Sequence, residues 1–234
     1  MKNISLAAIV FLACALSVDA AGPRTLTHSE PAAEIEVLDF SSGIGDVMIT
    51  AREGIDNIAV EVQLTPRRGG IFSSKRQAER EVEAASLHAV SQGHRLVLRI
   101  DPPADEDRRF EERWTIEMPA NIRLTLDHGV GDVVIRNIAA DIDVESGVGD
   151  VEIVALDGNI VVDLGVGTAM VHAQAAAYAT AEAAGGVGDA RLTVQGKRIE
   201  SGGFVSHEAN WTTGEGEHDI EVSVGVGDAV ITLE

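Results

Sequence analysis

The sequence predicts an all-β protein. The expected architecture is a β-solenoid-like stack of two-strand repeats of about 18–21 residues, with an N-terminal antiparallel segment and one short helix. Three observations lead there. A Gly-Val-Gly-Asp block recurs along the chain. Apolar residues alternate with polar ones on both sides of each copy. Aromatic residues are only 3% of the composition, so the core must be built from Val, Ile, Leu and Ala.

The block stands at Gly43-Ile44-Gly45-Asp46, Gly129-Val130-Gly131-Asp132, Gly147-Val148-Gly149-Asp150, Gly165-Val166-Gly167-Thr168, Gly186-Val187-Gly188-Asp189 and Gly225-Val226-Gly227-Asp228. The spacings between first glycines are 86, 18, 18, 21 and 39. The last is about two periods, which predicts a degenerate copy around Ser201–Phe204. After each block, pairs such as Val133/Ile135, Val151/Ile153 and Ala229/Ile231 sit two apart. Before it stand Leu124/Leu126, Ile142/Val144, Ile160/Val162 and Ile220/Val222. A period of two marks a strand with one buried face. Two such strands and two turns fill about 18 residues. One unit cannot bury its apolar face alone, whereas stacked units can.

The block itself reads as a corner. Glycine permits φ > 0 and leaves room for the neighbouring strand at about 4.8 Å. The Val or Ile between the glycines is expected to point into the core. The Asp is expected to accept hydrogen bonds from backbone N–H groups, as turn aspartates do.

The elements follow in order. Met1-Lys2, an apolar run over Ile4–Val18 and small residues at Ala20-Ala21 read as a secretory signal, residues 1–20. Residues 21–33 are expected to be a flexible N-terminal segment, and residues 34–234 one β-repeat domain. Asn57–Leu64 alternates as a strand. Ser73–Ala84 has a Ser cap followed by good helix formers. Ala85–Gln92 and Arg95–Ile100, joined by Gly93-His94, read as a hairpin, and Arg113–Met118 as a strand ended by Pro119. Arg67, Arg68, Lys75, Arg76 and Arg80 form the one local basic cluster, read as a solvated helix face and loop.

The composition excludes several functions. The chain carries 18 Lys+Arg and 38 Asp+Glu, a formal net charge of −20. Residues 124–234 alone hold 4 Lys+Arg against 19 Asp+Glu, a net −15. Such a surface repels phosphate backbones and anionic lipid, so no nucleic acid and no membrane span after signal cleavage are expected. Cys14, the single cysteine, lies inside the signal and faintly resembles a lipoprotein box. A mature chain therefore has no disulfide, thiolate nucleophile or cysteine metal site.

No catalytic, cofactor-binding or metal-ligating residue is assigned. The glycine block lacks the third Gly and following helix of a dinucleotide fingerprint, and the Lys-Ser/Thr of a phosphate loop. Calcium β-rolls repeat Gly-Gly-x-Gly-x-Asp every nine residues. Here there is one Asp per 18 residues, and Thr168 interrupts the series. The mature histidines form no His-Glu-x-x-His, and His207-Glu208 reads as an exposed loop pair. Asp101, Asp105, Glu106 and Asp107, among prolines and arginines, read as a solvated loop. Asn210-Trp211-Thr212 fits a glycosylation sequon.

Three stretches carry a resemblance: "IEVLDFSSGIGDVMIT", "RWTIEMPANIRLTLDHGVGDVVI" and the serial rungs ending in "VGVGDAVITLE". Over residues 34–234 the chain resembles the bacterial "putative adhesin" family, also called the toastrack domain. The resemblance implies an exported, periplasmic, envelope-associated or secreted β-repeat domain, and it carries over no catalytic residues. The expected function is a non-catalytic module, an adhesin or envelope scaffold, that binds another surface or protein. The alternatives are a polysaccharide-active β-helix enzyme and a calcium-binding β-roll.

Overall fold

The computed structural model describes residues 23–67, 75–101, 110–199, 207–212 and 215–234. Strands take 74% of them, beside a single α-helix, and all the strands join one sheet that nearly closes like a barrel. The signal, the acidic residues 105–107 and the degenerate copy expected at Ser201–Phe204 lie outside the described residues.

In chain order the strands begin with β1 (Arg24–Pro31), β2 (Val37–Ile44), β3 (Val47–Arg52) and β4 (Asn57–Pro66). The helix α1 (Lys75–Ala84) comes next, then the hairpin β5 (Ser86–Gln92) and β6 (Arg95–Asp101). β7 (Phe110–Pro119), β8 (Arg123–Val130), β9 (Val133–Ala139), β10 (Ile142–Val148) and β11 (Val151–Asp157) follow. β12 (Ile160–Ala173) runs unbroken through its corner. Then come β13 (Tyr178–Val187), β14 (Ala190–Val194), β15 (Lys197–Ile199), β16 (His207–Thr212) and β17 (His218–Leu233).

Each glycine block joins a leading strand before it to a trailing strand after it, and the inward residues of both belong to the same core. The leading wall pairs in the order β5, β6, β2, β8, β10, β12, β17, β13, β16. The trailing wall pairs in the order β1, β4, β7, β3, β9, β11, β12, β17, β14, β15. The repeats align at their sequence period: Ile142 lies beside Leu124 on one side and Ile160 on the other. Val133, Ile135, Ile142, Val144, Val151, Ile153, Ile160 and Val162 are all buried, in one continuous aliphatic core. Outward neighbours such as Asp143 and Asp163 are exposed, as the alternation requires.

Four departures from the sequence reading have physical causes. Residues 24–31 do not form a flexible lead: every one pairs antiparallel with β4, from Arg24↔Leu64 to Pro31↔Asn57. Arg24 also ties this edge strand to the end of α1. Its Nη1 donates to the carbonyls of Val82, Glu83 and Ala85 at 2.9, 2.8 and 2.7 Å, where a helix leaves acceptors unpaired.

The second departure is the middle of the chain, which is not wholly antiparallel. β6 runs parallel to β2, and β7 parallel to β3, so the pair supplies a tier that lacks the glycine block. Glu112 stands where the next corner would be. It is 1% exposed, and its Oε2 accepts from Trp114 Nε1 at 2.8 Å, Ser42 Oγ at 3.2 Å and Gly43 N at 3.3 Å.

The third is the order of the last units. β17 does not lie at the end. It is parallel to both neighbours, with Ile220 between Ile160 and Ala181. The 21-residue spacing provides the slot: a 3-10 turn at Ala175–Ala177 adds length beyond the 18-residue repeat, so the chain steps over one position. The 39-residue spacing covers an excursion. β15 and β16 run back antiparallel as edge strands on β14 and β13, and β17 then fills the slot.

The fourth concerns the residue between the glycines, which faces solvent.

Candidate interaction surface

The corner explains the glycines. Gly149 has φ +139°, a region that L side chains rarely adopt, and a Cβ there would also strike the Gly131 carbonyl oxygen of the neighbouring unit. Gly131 stands in the same relation to Gly45. The backbone pairs from unit to unit through the corner: Gly45 N to Val130 O at 2.8 Å, Gly131 N to Val148 O at 2.8 Å, Gly149 N to Val166 O at 2.9 Å. The Asp performs its expected role. Asp132 Oδ1 accepts from Asp150 N at 3.0 Å, Asp150 Oδ1 from Thr168 N at 2.9 Å, and Asp228 Oδ1 from Asp189 N at 3.0 Å. These carboxylates thus secure one unit to the next. Among the described residues no group of three or more His, Cys, Asp or Glu could hold a metal ion.

The valines do not enter the core. Buried positions are even-numbered before the corner (Leu124, Leu126, His128) and odd-numbered after it (Val133, Ile135). The corner absorbs the change of parity and turns its own residue outward. Val130, Val148, Val166, Val226 and Val187 are 44, 46, 45, 49 and 67% exposed. They are register neighbours, and with half-buried Ile44 they form one continuous column. Five steps of about 4.8 Å make this aliphatic ridge about 24 Å long. Exposed glycines border it, so it stands clear of its surroundings.

The leading wall's outer face adjoins the ridge. Asp127, Glu145 and Asp163 are direct neighbours on three parallel strands, and all are exposed. The next column runs Asp39, Thr125, Asp143, Val161, Glu221 and Glu182, so Glu221 and Glu182 are direct neighbours there and Asp39 and Asp143 are each set apart by an uncharged residue. Like charges at such positions destabilise a sheet. Only Asp39 has a cation, Arg95 at 2.7 Å; none of Asp127, Asp143, Glu145, Asp163 or Glu221 pairs with one among the described residues. The crowding registers at Glu182, whose carboxyl is pushed up by partial burial and then by Glu208 and Glu221.

A second corner column lies opposite. Asp141 Oδ1 accepts from both nitrogens of Asn159 at 3.0 Å, and Asn159 Oδ1 accepts from Asp219 N at 3.0 Å. The Asn159 backbone bond leads in holding the Asp141 carboxyl below its ordinary value. A shallow hollow of about 320 Å³ lies here, lined by Glu36, Asn121, Arg123, Asp141, Asp157 and His218. Four of its lining residues pair with one another: Arg123 with Asp141 at 3.0 Å and His218 with Asp157 at 2.9 Å. Tyr178, buried behind His218, has its phenol pushed up to about 12 by burial and by Asp157. No Phe, Tyr or Trp side chain is among its lining residues.

The remaining sequence features are structural. His207-Glu208 opens β16 rather than a loop, and Asn210 donates to Glu208 at 2.7 Å. Of the basic cluster, Arg67 lies 3.9 Å from Glu111, and Arg80 Nε donates to the Arg76 carbonyl. His128, missed by the sequence reading, is 1% exposed and sits between Ser42 and Ser146. Neither ring nitrogen makes a well-formed hydrogen bond. Desolvation dominates and lowers its pKa, against opposing contributions from the Gly131 backbone and from Asp46, Asp127 and Asp132.

No family model matches the chain, and no curated protein does. Solved structures do. A "putative cell adhesion protein" from Clostridium sporogenes is 18% identical, with a TM-score of 0.59 over 91% of this chain and 100% of that one. A "putative adhesin" from Bacteroides fragilis is 15% identical, with a TM-score of 0.36 over 90% of this chain and 97% of that one. The first likeness supports the resemblance read from the sequence at the level of the fold. This chain shares the overall fold of the Clostridium protein.

Proposed function

We propose that the protein is an exported, non-catalytic β-repeat module, an adhesin or envelope scaffold that binds another protein or surface. Its architecture is solenoid-like: two-strand units of about 18 residues share one aliphatic core. One observation carries the reading. The outer face of the leading wall carries the adjacent carboxylates Asp127, Glu145 and Asp163, with no cation paired to them among the described residues, beside an exposed aliphatic ridge. Stability alone disfavours both features, since adjacent like charges repel and exposed aliphatics gain nothing from burial. The Clostridium neighbour, named a "putative cell adhesion protein", is consistent with it.

The test is attachment of purified protein to surfaces of the source cell. We expect saturable attachment that Val148→Ser/Val166→Ser abolishes and Met170→Ser, on the trailing wall, preserves. No saturable attachment, or turnover of an envelope polymer by the purified protein, contradicts the reading.

A further inference from the structure

We infer that the ridge and its flanking carboxylates form a docking track for a cationic amphipathic helix of about 16 residues, presented by a partner protein. The inference rests on the binding role proposed above and adds the partner's chemistry. The length follows from the ridge, since about 24 Å corresponds to about 16 residues at a rise of about 1.5 Å.

Backbone chemistry selects a helix. The corner N–H groups and carbonyls are already paired from unit to unit. An extended strand laid on the ridge would find no partners for its own backbone, whereas a helix satisfies its own. The repeat distances also agree, because a helical turn of about 5.4 Å advances close to one step of about 4.8 Å. One apolar residue per turn therefore meets the valine column.

Charge selects the flanks. On the sheet side Asp127, Glu145 and Asp163 lie three residues from the ridge, about 10 Å along the strand. On the other side Asp132 and Asp150 follow two residues after the valines, as does Asp228, which already lies 3.6 Å from Arg191. A helix about 10–12 Å across places residues on both shoulders within reach of these carboxylates, and Lys or Arg stems span the remaining gap. A second copy of this chain brings −15 against −15 in residues 124–234 and is repelled. Anionic lipid and nucleic acid are repelled in the same way.

The probe is a fluorescein-labelled 16-residue peptide with a Leu stripe flanked by Lys. Its controls are a scramble of equal composition that breaks the stripe and a version with Glu in place of Lys. Fluorescence anisotropy should show the first bound at least tenfold more tightly than the scramble, and the Glu peptide unbound. Val148→Ser/Val166→Ser should weaken binding at least tenfold. Glu145→Gln/Asp163→Gln should reduce its dependence on salt, and Met170→Ser should change nothing. The substituted valines and carboxylates are exposed and Met170 is half-buried, and a thermal melt checks each variant; Val130→Ser alone serves should the double variant fail to fold. Equal binding of scramble and stripe, indifference to the valine changes, or no binding would each overturn the inference. If the peptide fails while cell attachment still depends on the ridge, the partner has other chemistry and only this inference falls.

Discussion

The two walls share one core but differ on the outside. Their inner columns match: Leu124, Ile142, Ile160 and Ile220 on the leading wall, Val133, Val151, Ala169 and Ala229 on the trailing wall. Outside, the trailing wall sets Met48, Val134, Glu152, Met170, Val230 and Arg191 side by side. Two of its charge pairs bridge neighbouring strands, Arg136 to Glu152 at 3.2 Å and Arg52 to Glu117 at 2.6 Å. The leading wall sets Asp127, Glu145 and Asp163 side by side, and Glu221 beside Glu182. The trailing wall is arranged as a sheet that only has to be stable would be. The leading wall is not, and the proposed binding role rests on that difference.

The comparison breaks first at what the walls share. Ile153, fully buried on the trailing wall, should cost about 2–5 kcal/mol when changed to Ala. Val162→Ala on the leading wall should also destabilise, by less because fewer atoms are removed. Denaturant midpoints check both, and a neutral result at either would mean the core is not common. Gly149→Ala comes next, at about 1–3 kcal/mol, since it forces a Cβ into a left-handed backbone against the Gly131 carbonyl.

His128 sharpens the comparison by pH. Its folded pKa lies below the unfolded value, so the folded state disfavours the added proton. Its effect is nil above the unfolded pKa of about 6.5, and stability falls as pH drops below that value towards the folded pKa. The slope is at most about 1.4 kcal/mol per pH unit for one proton. His128→Leu, matching Leu164 in the same buried column, should remove that slope in melts between pH 7.5 and 5.5.

Much of this was legible in the sequence. The 18-residue period and the alternation fixed which of Val133, Glu152 or Asp143 faces the core, because both are local properties of a strand. The helix and the hairpin were legible for the same reason. What escaped depends on distant segments. The insertion of β17 needs the slot that the turn at Ala175–Ala177 opens, and the 21-residue spacing was its one sign. The tier of β6 and β7 has no glycine block, so no repeat pointed to it; the buried Glu112 closes the corner column instead. The ridge was signalled after all. The change of parity of the buried positions across each corner implies that one residue there breaks the alternation and turns outward, although alternation continued from the leading strand alone places the valine inside.

The smallest effect tests the contrast between walls most directly. Glu145→Lys puts a cation between Asp127 and Asp163, and Glu152→Lys removes the partner of Arg136 and places a like charge beside it. Cross-strand charge pairs are worth about 0.2–1 kcal/mol, so the two melts should shift modestly. At low salt, Glu145→Lys should raise the melting temperature and Glu152→Lys should lower it, and both shifts should shrink as salt is added. Shifts of the same sign would mean that the two outer faces are electrostatically alike, and the claim that the leading wall is set apart for binding would fail.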